Sequence, residues 1–326
     1  MTGLIIGRLI ARSRSTTREA ERKRLLPLLL GSEASDLWID DPEPAGDLLT
    51  DLFLELIQLV RGGDKEAFVA SATRLGVPQR LRRRLFSGSP RVRMTSAEAL
   101  AEFPDEESVA ALFGTLDDRN PDVRLSAALS LAAMDRAPAV GFLVEKLGLG
   151  TSESSLLMLD LFEEIARTRP DEIKALIAAP ESPTAVKAAA IEALSASGDY
   201  SLVPLIADLT LETDPEAEEL PRYLRVLGVF GHPAGGEAVR RSLQSPSWWV
   251  RAAAAEAAGR IGLGDTAHTL STLLEDPDWW VRFRAGEALV RLGTPGKEML
   301  GEVCRTGGPL ARRAAKLTLA ERGISI

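Results

Sequence analysis

Apolar and small residues recur along most of this chain at intervals that fit one face of a helix. Counted from Val281 they fall at Ala285, Ala288, Leu289 and Leu292, and counted from Val250 at Ala254, Ala257, Ala258 and Ile261. Such offsets form a single stripe at 3.6 residues per turn. A basic residue follows the leading valine each time, as Val92-Arg93, Val123-Arg124, Val186-Lys187, Val250-Arg251 and Val281-Arg282. Prolines fall at 90, 121, 183, 215, 246, 277 and 309, with gaps of 31, 62, 32, 31, 31 and 32 residues, and five of the seven precede these pairs. The double gap holds Ser152 where a proline is expected. Proline suits a first helical turn, where its missing N–H costs nothing. Gly262 and Gly293 follow the stripe and suit helix C-termini. The pattern predicts a helix after each proline, with all five valines buried at equivalent places.

A second, shorter helical pattern fills the rest of each unit, at Ser108–Leu116, Ala137–Leu147, Ser201–Leu209, Asp265–Leu274 and Gly296–Cys304. Each unit is thus a helical hairpin. One hairpin cannot bury its own apolar face, but a stack of them can. The expected fold is an all-α solenoid of roughly seven to nine hairpins. Residues 89–326 form the repeats, with a half-repeat cap at Ala311–Glu321. Asp47–Arg61 and Asp64–Leu75 read as two amphipathic helices of a divergent cap spanning 46–88. Residues 25–45 carry Pro42, Pro44 and several acids and read as a linker, preceded by a basic segment, 1–24. The unit at 214–245 is irregular, with Pro221 inside its first helix and acids crowded ahead of it.

On these residues the chain resembles the HEAT family, above all its short bacterial, phycobilisome-lyase-like form. That family places an Asp five residues before the Val-basic pair. Asp118 stands so before Val123, and Asp276 before Val281, whereas Ser87, Glu181 and Ser245 hold the place elsewhere. The resemblance covers roughly residues 89–326 and implies a solenoid with an incomplete Asp–Arg ladder. Its leading functional implication is an interaction scaffold, because stacked hairpins present extended binding surfaces. Two alternatives come with it: nucleic-acid binding, as in HEAT-like DNA-repair glycosylases, and an enzyme of the phycobilin-lyase type.

Charge changes the picture at the N-terminus. The chain carries a net −8, yet residues 1–24 hold +5 and the remainder −13. The opening Leu4-Ile5-Ile6-Gly7-Arg8-Leu9-Ile10 is apolar but far short of the about 20 residues that cross a bilayer. It looks like the cytoplasmic end of a membrane helix, or else a basic tail. Contact with an anionic membrane, at the cytoplasmic side of an inner membrane, is the expectation it raises. The single cysteine, Cys304, allows no disulfide within the chain and fits a reducing, cytoplasmic setting. His232 and His268 lie in different repeats, and no His/Cys pair has metal-ligand spacing. With no nucleophile–base constellation and no phosphate-binding loop, no catalytic, cofactor or metal site is expected, and the chain reads as a non-enzyme.

Two surfaces rise above this background. Between Glu66 and Glu98 there is no acid, but there are Arg74, Arg80, Arg82, Arg83, Arg84, Arg91 and Arg93. Such a run fits an acidic partner, phosphates or anionic lipid, or a solvated face with structural arginines. The other surface is aromatic. Trp248-Trp249 and Trp279-Trp280, four of the chain's five tryptophans, sit one repeat apart. Each residue back from the buried valine turns about 100°, so Trp249 and Trp280 cannot share its orientation. With Arg251, Arg282 and Arg284 beside them, they have the composition of an interface hot spot for a protein partner. The alternative is packing between repeats.

Overall fold

The structure is a computed structural model that describes residues 19–31, 43–150 and 156–323. Among them every regular element is a helix, and the fold is an all-α solenoid. Contacts divide the chain into two compact units, Met1–Leu147 and Gly148–Ile326.

The first unit departs from the sequence expectation at its start. Residues 19–29 are helical, and Leu25, Leu28 and Leu29 are buried along one stripe of that helix. Arg22 pairs with Glu55 at 2.5 Å. The stretch expected to be linker from residue 25 therefore begins as core, because three leucines at i, i+3 and i+4 make a buriable face. Residues 1–18 and 32–42 lie outside the described residues. Three helices follow where two were expected: Glu43–Leu56, Gly63–Arg74 and Val77–Arg84. The third exists because Gly76, at φ 75°, stops the helix before it, and Pro78 sits in the opening turn of the next. Phe53, stacked on Phe68 at 5.4 Å and 5.2 Å from Phe103, ties this end to the repeats.

The first unit's repeats comprise Pro90–Leu100, Glu106–Thr115, Pro121–Ala133 and Val140–Leu147. Asp105 and Asn120 cap two of these with their side chains. Val123 is wholly buried, but Val92 is only half-buried. Its neighbour Arg93 turns inward in that turn, drawn to a carboxylate of the next hairpin.

In the second unit alternate helices form one row: Leu156–Thr168, Thr184–Leu194, Leu220–Phe230, Trp248–Ile261, Trp279–Arg291 and Pro309–Glu321, each packed on the next. The helices between them make a second layer. Val186, Val250 and Val281 are wholly buried, and each such burial stabilises by about 1.5–3 kcal/mol. The row is tight because a glycine stands where helices cross. A Cβ on Gly228 would lie 3.1 Å from the Ala257 Cα, and one on Gly259 2.7 Å from the Ala288 Cα.

Prolines behave in two ways. Pro90, Pro121 and Pro309 open their helices, but Pro246 and Pro277 stand two residues ahead of helices that begin at Trp248 and Trp279. Pro221 lies in a first turn, not an interior, because its helix begins at Leu220. No helix among the described residues is long and apolar enough to cross a membrane.

Candidate functional site

The site begins with a strut that fixes where each helix of the row starts. Asp276 is buried, and its carboxylate takes Arg251 of the preceding repeat at 2.8 and 3.0 Å. The same carboxylate accepts the Asp278 amide, and the Asp276 carbonyl accepts from Arg282 at 2.7 Å. The first unit repeats this arrangement atom for atom. Asp118 takes Arg93 at 2.7 and 2.8 Å, accepts the Asn120 amide, and its carbonyl accepts from Arg124. The Arg93 hydrogen bond holds the Asp118 carboxyl below the usual carboxylate range. At Ser245 the hydroxyl still accepts the Ser247 amide, and it donates to the Pro215 carbonyl. The ladder among the described residues is thus partial, with rungs where Asp is present.

With the helix start pinned and the valines buried, the tryptophans can only point outward. Trp248, Trp249, Trp279 and Trp280 are 40%, 38%, 48% and 49% exposed. Rings meet edge to face within each pair, 5.8 Å apart in the first and 4.7 Å in the second. Phe283 stacks on Trp279 at 5.1 Å, and Arg284 lies over the Phe283 ring at 5.7 Å. The two pairs share a groove of about 280 Å³, lined by Trp248, Trp249 and Trp280 with Pro221, Arg225 and Arg284. Beyond it, Trp279 and Phe283 line a second groove of about 270 Å³ with Leu310, Leu317, Arg282 and Arg313.

The flanking arginines named from sequence are held by internal partners. Arg251 is committed to Asp276 and also donates to the Ser245 and Pro246 carbonyls. Arg284 bridges Glu287 at 3.0 Å and Glu256 at 3.4 Å. Arg282 donates to the Asp276 and Pro277 carbonyls. Phe283, Leu310, Arg313 and Leu317 escaped the sequence reading. Their signal was available: Leu310, Arg313 and Leu317 line the helical face opposite Ala311 and Ala315, which are buried.

The basic run is also largely engaged. Arg82 reaches Asp105 and Glu107 at 3.2 and 2.5 Å, Arg84 reaches Asp47 and Asp51 at 3.0 and 2.8 Å, and Arg93 holds Asp118. Arg80 donates to the Leu75 carbonyl at 2.7 Å. Arg83 and Arg91 are exposed. The acids that neutralise this run lie far from it in sequence, which is why the run looked bare.

No group of three or more His, Cys, Asp or Glu among the described residues could hold a metal ion. His232 accepts the Ala234 amide on Nδ1, a turn contact. Cys304 is half-buried in the Thr294–Thr306 helix.

The sequence profile of HEAT repeats matches residues 78–153, 210–289 and 237–320, together more than half of the chain. No curated protein sequence matches it. Among solved structures the chain is similar to importin beta, at 14% identity and TM-score 0.49, covering 97% of this chain and 53% of that one. It is similar to Kap121p bound to Pho4p, at 12% identity and TM-score 0.48, covering 93% of this chain and 39% of that one. An engineered protein matches at 19% identity and TM-score 0.39, with 96% of each chain covered.

Proposed function

Because the chain belongs to the HEAT-repeat family, we propose that it is a non-catalytic scaffold that docks a protein partner on the tryptophan face of its second unit. One observation carries this reading: four indoles, placed one repeat apart, all stand exposed beside grooves while the equivalent valines are wholly buried. Indoles left to water forfeit apolar burial that a partner restores, and tryptophan and arginine are the residues on which interfaces concentrate their energy.

Affinity capture from the source cells, run with wild type and with Trp249→Ala/Trp280→Ala side by side, tests it. A protein retained by wild type and lost from a double variant of unchanged melting temperature supports the reading. Each lost anchor weakens binding by about 2 kcal/mol. A variant that unfolds, or that captures the same proteins as wild type, refutes it. Nucleic acid is the weaker reading, since the acids on Arg82, Arg84 and Arg93 leave no open basic track through that run.

The proposal extends to the cytoplasmic face of a membrane through residues 1–24, whose basic residues add about 1 kcal/mol each near an anionic surface. Truncation at Leu25 would cut the helix at 19–29. The sound test is therefore Arg8, Arg12 and Arg14 changed to Gln. Salt-sensitive sedimentation with anionic vesicles should be lost in that variant, and equal binding would remove the membrane from the proposal.

A further inference from the structure

The exposed face of the second unit changes character along its row of helices. Along the row three acids are each held by arginines: Glu192 by Arg222 and Arg225, Glu256 by Arg260 and Arg284, Glu287 by Arg284 and Arg322. The groove between Trp279–Arg291 and Pro309–Glu321 differs. Its floor is apolar, built from Trp279 stacked on Phe283 and from Leu310 and Leu317, both exposed. Its edges are Arg282 and Arg313. Arg282 bonds only backbone carbonyls among the described residues, so its charge is not cancelled. Arg313 has no ion pair among them, and neither have Arg312 and Lys316 of the same helix.

We infer that this groove binds a linear, acidic segment of a protein partner in which one or two large apolar side chains are set among Asp and Glu. The inference rests on the docking reading and names the partner's chemistry. The volume, about 270 Å³, is below the range of about 300–1,000 Å³ typical of small-molecule pockets and suits one or two anchoring side chains. A neutral apolar segment would cover Arg282 and Arg313 without pairing them, which costs desolvation free energy. A basic segment meets like charge. A bare phosphate ignores the four apolar side chains. Nucleic acid approaches against a chain whose residues beyond 24 carry −13.

Selection of a displayed library of random linear peptides on the full chain tests this, followed by binding of one selected synthetic peptide to wild type and variants. The selected sequences should carry acids interleaved with Leu, Phe or Trp. Arg313→Glu and, separately, Leu317→Ala should each weaken that peptide about tenfold, while Arg91→Glu, an exposed change in the other unit, leaves it unchanged. A peptide with lysines in place of its acids should bind Arg313→Glu better than wild type. Neutral, basic or proline-rich selections, acidic peptides indifferent to Arg313→Glu, an empty selection, or displacement by a single-stranded oligonucleotide would each overturn the inference. Selections without acids that still depend on Trp249 and Trp280 would remove this inference and leave the scaffold reading standing. Acidic peptides that depend on Arg313 and Leu317 but not on those tryptophans would do the reverse.

Discussion

Arginines crowd two parts of this chain, and the structure treats them differently. In the run from Arg80 to Arg93, Arg82, Arg84 and Arg93 turn to carboxylates contributed from elsewhere in the first unit: Asp47 and Asp51 upstream, Asp105, Glu107 and Asp118 downstream. In the last helices Arg282 holds only carbonyls, and Arg312 and Arg313 stand in solvent without a carboxylate among the described residues. The acid-free run looks like the basic surface when read along the chain, yet Arg82, Arg84 and Arg93 within it are neutralised. Charge available to a partner depends on what the repeat brings alongside, and a stack of hairpins brings alongside residues some 25 positions away, as Arg93 to Asp118 and Arg251 to Asp276.

Mutation separates the two groups of arginines. The largest effect should come from a rung. Asp276→Ala leaves Arg251 half-enclosed and frees the Asp278 amide, and removing one partner of such a pair costs about 3 kcal/mol. Urea denaturation measures it, and a loss below about 1 kcal/mol would mean that the rungs do not hold the row. Next, Arg82→Gln/Arg84→Gln should lose about 1 kcal/mol, their acids being solvent-exposed. Arg312→Gln/Arg313→Gln should change stability by less than about 0.5 kcal/mol. Equal losses in the two double variants would erase the distinction between structural and available arginines.

The smallest effect is one of pH. Asp118 titrates below its ordinary 3.8 because Arg93 favours the carboxylate, and Asp199 is held at about 2 by Lys174 and Ser201. A carboxyl whose folded pKa is depressed adds stability above its unfolded value and loses it as pH falls through the folded one. Both contributions are therefore complete above about pH 4 and fade below it. Asp118→Asn should melt with a shallower pH dependence between about pH 4 and 2 than wild type. An unchanged slope would say that the rung contributes nothing through its charge.

Much of the fold was legible because its signal is local and repeated. The proline spacing and the stripe from each valine located the row helices, and four of the five valines are wholly buried. Val92 failed because side-chain partnership, not helical phase, decides which residue of that turn goes inward: Arg93 follows Asp118. The helix at 19–29 was missed because basic residues crowd its first half and mask Leu25, Leu28 and Leu29. The outward direction of Trp249 and Trp280 followed from the valine beside each, since one step along a helix is 100°. Leu310, Arg313 and Leu317 could not be joined to Trp279 from sequence, because their groove exists only once two helices some thirty residues apart are packed. Ion pairs that engage Arg82 and Arg84 were equally invisible, being long-range.

In the proposed scaffold the exposed indoles are covered by a protein partner. A photo-crosslinking amino acid placed at 249 or at 280, in the otherwise intact chain within its source cells, tests this directly. The account predicts a discrete protein adduct from both positions and none from 298, an exposed site in the Thr294–Thr306 helix of the second layer. No adduct from 249 or 280, or the same adducts from 298, would contradict it.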